Sequence, residues 1–223
     1  MNTTRGRSGR PAIPSPQQTH RAVVRAMKAT STEWTFGLQL LTAGKRIGIG
    51  REKWVSKKIA AALVEDGFEV ETEKRCKSGR IDIAILDAQK VLSCLIEVKF
   101  YFCHQHRLRE CGHRFINNTL KDFNKRRAEF PDLPQQAIVF VADYQSMPQN
   151  GKKLALYNAE EICRYLAKRG PSGFSRFEYD LFDQYASICT IVPPKGKSPS
   201  SEVWTASYKG AKANICAWVL EFQ

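Results

Sequence analysis

Two stretches of period-two alternation lie side by side in the first half of the chain. In residues 79–86, Ile81, Ile83 and Ile85 fall on one face of an extended strand, and Asp82, Ala84 and Leu86 on the other. In residues 91–99, Leu95, Glu97 and Lys99 share a face, and Ile96, Val98 and Phe100 take the opposite one. The short segment Asp87-Ala-Gln-Lys90 between them predicts a hairpin of 80–87 with 91–99. That pairing brings the strand end bearing Asp82 to the end bearing Glu97 and Lys99.

The flanking patterns supply the other elements. Val55, Ile59, Ala62 and Leu63 recur at helical spacing and predict a helix over 51–66, stopped by Gly67. Glu52 lies three residues before Val55, which places it on the apolar face. Residues 68–73 alternate as an edge strand does. Ile116, Leu120 and Phe123 mark a helix over roughly 114–129, and the continuous apolar run 136–142 reads as a buried central strand. Ile162, Tyr165 and Leu166 mark a helix over 158–168, ended by Pro171-Ser-Gly173. Short strands are expected near 175–182, 187–193, 202–208 and 216–222. In 33–50, the alternation of Phe36, Leu38 and Leu40 suggests a strand, with a short helix as the alternative. The fold class is therefore α/β: a mixed sheet flanked by helices, extended by C-terminal strands.

Asp82, Glu97 and Lys99 carry the candidate chemistry. Two carboxylates hold a hard cation such as Mg²⁺ through oxygen, and an ammonium beside them steadies a hydroxide nucleophile and the charge on phosphorus. This is the equipment of a phosphodiester hydrolase. The plain alternative is a salt-bridge cluster on a strand.

Asp82, fourteen intervening residues, then Glu97-Val98-Lys99 resembles the PD-(D/E)XK nuclease superfamily. Ile81 stands where the family name has Pro. The α-β-β-β-α-β order over roughly 51–142 is similar to the core of that family. The resemblance implies a restriction-endonuclease-like fold and divalent-metal-dependent endonucleolytic hydrolysis of DNA, in a restriction, repair or resolvase role. Mg²⁺ would be held by Asp82, Glu97, the Val98 backbone carbonyl and Glu52, with Mn²⁺ able to substitute. Lys99 would orient or deprotonate the attacking water. It also implies a polar or basic residue of the second helix near the scissile phosphate, with Lys125 as the candidate and Asn117, Asn118 and Lys121 as weaker ones. For Lys125 the helical spacing favours a solvated face, and for Glu52 the alternative is a first-turn acid favoured by the helix dipole. A homodimer fits a resolvase-like role. An RNA-directed nuclease, or a non-catalytic nucleic-acid or protein-binding module on the same fold, are the other readings.

Charge strengthens the nucleic-acid reading. The 223-residue chain has a formal net charge of +13 and a pI near 9.5, which favours a polyanionic partner. Residues 1–32 carry Arg5, Arg7, Arg10, Arg21, Arg25 and Lys28 and no Asp or Glu. They read as a basic, disordered arm, with residues 33–223 as a single domain (core about 51–142, C-terminal extension about 143–223). Arg5-Gly-Arg-Ser-Gly-Arg-Pro11 is similar to a minor-groove AT-hook, interrupted by Ser8. A mitochondrial presequence is the rival reading of this arm. No apolar run approaches the roughly 18–20 residues of a membrane span. Seven scattered cysteines are expected to be free thiols in a reducing compartment, cytoplasmic or nucleoid-associated.

One further segment stands out. Cys103, His104, His106, Cys111 and His113 fall within eleven residues. Three readings are open: a Zn²⁺ site of Cys103, His106, Cys111 and His113; a substrate-side loop in which His104, His106, Arg107, Arg109 and Arg114, with Arg80 nearby, face phosphate; and an exposed loop with no ligand.

Overall fold

A seven-stranded mixed sheet organises the chain, with strands in the spatial order Glu69–Cys76, Gly79–Leu86, Leu92–Phe102, Gln135–Ser146, Ala211–Phe222 and Cys189–Val192, and with Trp204–Tyr208 also paired to Ala211–Phe222. The computed structural model describes residues 12–31, 41, 50–104, 109–151, 159–168, 189–192 and 204–222, with the backbone alone described at 109–116 and 191–192. The strands are β1 (Glu69–Cys76), β2 (Gly79–Leu86), β3 (Leu92–Phe102), β4 (Gln135–Ser146), β5 (Cys189–Val192), β6 (Trp204–Tyr208) and β7 (Ala211–Phe222). The helices are α1 (Pro16–Thr30), α2 (Arg51–Glu65), α3 (Arg109–Glu129) and α4 (Ala159–Ala167). The expected α-β-β-β-α-β order is present from α2 to β4 as an α/β arrangement. The strand expected at 175–182 and most of 33–49 lie outside the described residues.

The hairpin forms over part of the predicted length: Ile83–Leu86 pairs with Leu92–Ile96, and the ladder stops before it reaches Asp82, Glu97 and Lys99. β2 and β3 are antiparallel, with Ile83 opposite Ile96 and Ile85 opposite Cys94. Asp87 closes the turn by accepting from the amides of Gln89 and Val91, both at 2.9 Å. β3 then runs parallel to β4, from Leu95–Gln135 to Phe102–Ala142, with α3 as the crossover. Both strands are buried on both faces, which explains their near-continuous apolar runs.

Alternation sorts the core onto two sides. Ile83, Ile85, Ile96, Val98, Phe100 and Phe140 pack with Val55, Ile59 and Leu63 of α2. On the other side Tyr101, Val139, Val141 and Trp218 pack with Phe123 of α3 and Tyr165 of α4. Ile81 departs from its expected face: it packs with Ala84 and Leu95. The departure coincides with a backbone irregularity, because Glu73, across from Asp82 between the rungs 72–83 and 74–81, has φ 57°.

The arm expected over 1–32 is not disordered in its second half. Residues 16–30 form α1, which starts with a reciprocal capping box between Ser15 and Gln18 and with Pro16 in the first turn. Val23 and Met27 are fully buried against the core, and Thr19 Oγ1 donates to Gln136 Oε1 of β4 at 2.6 Å. His20, Ala22, Val23, Ala26, Met27 and Thr30 repeat at helical spacing, an amphipathic stripe that the basic composition masks. The Arg-rich residues 1–11 lie outside the described residues. No described helix is long and apolar enough to cross a membrane.

Candidate active site

The site is built where two paired strands part. The β2–β3 ladder has its last rung at Ile83 and Ile96, although β3 continues to Phe102. Beyond that rung the amides of Val98 and Phe100 have lost a strand partner, and two carboxylates replace it. Val98 N donates to Asp82 Oδ2 at 2.8 Å, and Phe100 N donates to Glu52 Oε1 at 3.0 Å. A buried backbone donor needs an acceptor, so the edge itself draws both acids into the fork. A strand residue turns its N–H and C=O toward the same neighbour, so the Val98 carbonyl faces the edge occupied by Asp82. Glu52 reaches β3 from the first turn of α2, while the residue keeps an exposed surface and is not enclosed on an apolar face.

Glu97 projects from β3 into a buried position and accepts from Arg126 Nε of α3 at 3.0 Å. Lys99 Nζ lies 3.1 Å from Asp122 Oδ2 of α3 and 3.8 Å from Glu97 Oε2. Asp82, Glu97, Lys99 and Glu52 therefore meet at one place, as the sequence pattern anticipates.

The electrostatics of this group are those of a site short of positive charge. Burial, reinforced by the neighbouring Asp82, pushes Glu97 up to about 7, against the pull of Lys99 and Arg126. Burial likewise raises Asp82, partly offset by the Val98 amide, by Lys99 and by a hydrogen bond with Glu97. Crowding by protein atoms raises Glu52, again opposed by Lys99. Burial pulls Lys99 down, but Glu97, Glu52 and Asp122 outweigh it and the net shift is upward. In this arrangement Lys99 therefore keeps its proton at neutral pH.

A hard divalent cation fits this donor set. Each of Asp82, Glu52 and Glu97 has one oxygen fixed by a protein donor, and burial raises both Asp82 and Glu97, a cost of buried negative charge that a bound cation relieves. Among the described residues no three His, Cys, Asp or Glu side chains stand as a preassembled ligand shell.

The remaining candidates separate. Arg80, Lys121 and Lys125 are exposed, and Arg80 pairs with Glu73 at 2.9 Å. Asn117 and Asn118 are exposed on α3. His104 does not face phosphate. It is 2% exposed, among the rings of Phe102, Tyr144 and Tyr165, and burial lowers its pKa to about 4. A neutral, enclosed imidazole makes no ion pair with a substrate. Cys103 is also buried, in the core beside α3. His106 and Arg107, and the side chains of Arg109, Cys111, His113 and Arg114, lie outside the described residues, as does the Zn²⁺ set they would form. The six described cysteines, Cys76, Cys94, Cys103, Cys163, Cys189 and Cys216, are in no disulfide.

Three partners were not foreseen from sequence. Arg126 is 6% exposed and shares the buried stripe of α3 with Thr119 and Phe123. A charged residue at a core position of the helical repeat was the available signal. Asp122 has no sequence signal of its own, since the helix is read only from its apolar stripe. Glu73 looked like a strand-edge acid, yet it lies close enough to raise Asp82. Comparison of the chain with protein-family models, with curated proteins and with solved structures returns no match.

Proposed function

We propose that this protein is a divalent-metal-dependent nuclease of the PD-(D/E)XK kind, with a restriction-endonuclease-like core spanning α2 to β4, and that it hydrolyses phosphodiester bonds of DNA endonucleolytically. The observation that carries the reading is the convergence of Asp82, Glu97, Lys99 and Glu52 at the β2–β3 fork, with two of the acids bound to the strand amides freed by the fork.

Asp82, Glu97, Glu52 and the Val98 carbonyl would hold Mg²⁺ or Mn²⁺, which supplies Lewis-acid stabilisation and a water of lowered pKa. The Lys99 ammonium, held by Asp122, places a fixed positive charge where negative charge accumulates on the phosphoryl oxygens. The Val98 and Phe100 amides fix Asp82 and Glu52 so that the acids need not reorganise during reaction. Arg126 holds Glu97 in one rotamer.

The test is cleavage of supercoiled plasmid, linear duplex, single strand, four-way junction and RNA with Mg²⁺, Mn²⁺ or EDTA. Metal-dependent cutting of DNA by wild type, lost in Asp82→Ala and reduced about 10²–10³-fold in Lys99→Ala, is the expected outcome. Cutting of RNA alone would reassign the substrate, and cutting that survives both substitutions would sink the site. A second reading is a non-catalytic nucleic-acid-binding module. It is favoured by one observation: Glu97 and Lys99 are already engaged by Arg126 and Asp122. Salt-sensitive binding with no cutting under any metal would select it.

A further inference from the structure

We propose that the turn half of the β1–β2 hairpin is a docking arm for the phosphodiester backbone of duplex DNA; this deepens the nuclease reading and rests on it. β1 and β2 stay paired from Thr72–Ile83 to Cys76–Gly79, whereas β2 and β3 stop at Ile83–Ile96. The hairpin therefore continues past the fork as a two-stranded arm of about 13 Å, from the rise per strand residue. Asp82 sits at its base, so whatever the arm binds is delivered to the site.

A lone two-stranded ribbon is marginal in water, and here α3 secures its tip. Arg126 donates to Cys76 Sγ at 2.7 Å, to Ser78 Oγ at 2.8 Å and to the Arg80 carbonyl. Glu129 accepts from the amides of Lys77 at 2.8 Å and Ser78 at 2.7 Å. Gly79 makes the turn at φ 130°, a conformation that L side chains rarely adopt. Arg126 is the same residue that holds Glu97, so one guanidinium ties the arm to the site.

The arm is cationic beyond its own neutralisation. From Lys74 to Arg80 it has four basic residues and no acid. Lys74 pairs with Glu71 at 2.5 Å, and Arg80 with Glu73, which Lys53 also approaches at 3.3 Å. Arg75 and Lys77 are exposed and make no ion pair among the described residues. Arg75 stands directly across from Arg80 in the ladder. Like charges at opposed positions destabilise a hairpin, and a polyanion seated across them removes that penalty. A secured, projecting ribbon with a like-charged rung suits a continuous run of phosphates better than one small anion.

The experiment reads binding without chemistry. Full-length protein in EDTA is titrated against a fluorescent duplex by anisotropy over a range of salt, for wild type, for Arg75→Gln/Lys77→Gln/Arg80→Gln, and for a control in which the exposed Lys168, Lys209 and Lys212 are changed to Gln. Circular dichroism checks each fold. The arm variant is expected to bind at least tenfold more weakly, with a slope of log K against log salt shallower by roughly 2, at about 0.9 per phosphate contact. The control is expected to follow wild type. Equal affinity and slope in the arm variant, an equal loss in the control, or binding only to RNA or to an acidic protein would overturn the proposal. Because no cleavage is needed, absence of metal-dependent cutting with the arm effect intact would remove the nuclease reading and keep the arm. Cutting with no arm effect would do the reverse.

Discussion

Arg126 Nε donates to Glu97 Oε1 at 3.0 Å, and both side chains are more than nine-tenths buried. The pair joins α3 to β3 at the fork, and its guanidinium also holds the β1–β2 turn. Removing one partner of a buried pair costs about 3–5 kcal/mol, so Arg126→Gln is expected to unfold at markedly lower denaturant. Arg126→Lys keeps the charge but loses the fork of donors. It is expected to fold, and to shift the midpoint of metal-dependent cleavage to higher pH, because Glu97 loses the guanidinium hydrogen bond that lowers its pKa while the cationic charge remains. A pH–rate profile at saturating metal checks this; an unchanged midpoint would mean that Arg126 acts on the fold alone.

Proton and metal should compete at Glu97. Its folded pKa, about 7, is above the ordinary carboxylate value of 4.5. A group raised on folding adds stability below its unfolded pKa and loses it as pH rises through the folded one. Without metal, wild type is therefore expected to lose stability relative to Glu97→Gln between about pH 4.5 and 7. With Mg²⁺ the Tm gain of wild type is expected to grow over the same interval, as the carboxylate becomes free to bind. Thermal melts at pH 5, 6, 7 and 8, with and without Mg²⁺, measure both.

His104 gives the opposite sign. Burial lowers it from 6.5 to about 4, so its neutral form contributes stability above pH 6.5 that is lost as pH falls toward 4. His104→Phe, which suits a site walled by Phe102, Tyr144 and Tyr165, is expected to flatten the acid side of the stability curve and to leave DNA affinity unchanged. Weaker DNA binding by this variant would return His104 to the substrate-side role.

Helix α1 is expected to be an integral part of the core. Met27 is fully buried, and truncating a buried Met to Ala costs about 2–5 kcal/mol. Urea unfolding of Met27→Ala should show that loss with a single transition. A loss below about 0.5 kcal/mol, the range of surface substitutions, would mean that α1 is a detachable arm.

The hairpin, the α2 helix and the buried strand β4 were legible because local periodicity decides them: alternation of Ile and Val with polar residues, or apolar residues at every third and fourth position, admits few other structures. The acids Asp82 and Glu97 and the cation Lys99 were legible for the same reason, since the hairpin register aligns the strand ends that carry them, although the ladder itself stops at Ile83 and Ile96. Helix α1 was hidden because its apolar stripe is made of Ala, Val and Met among arginines, and only docking on α2 and β7 shows which face is wet. The fate of His104 was hidden because burial depends on residues 40 positions away.

Sequence by itself determined the α/β class, the order of elements from α2 to β4 and the meeting of Asp82 with Glu97 and Lys99. These follow from short-range backbone geometry. Only tertiary structure decided that Arg126 and Asp122 engage that group, that Glu52 caps a freed amide of β3, and that the β1–β2 turn is held by α3. Those contacts join residues tens of positions apart through side chains whose direction is set by packing of α2 and α3 on the sheet, which local pattern does not encode.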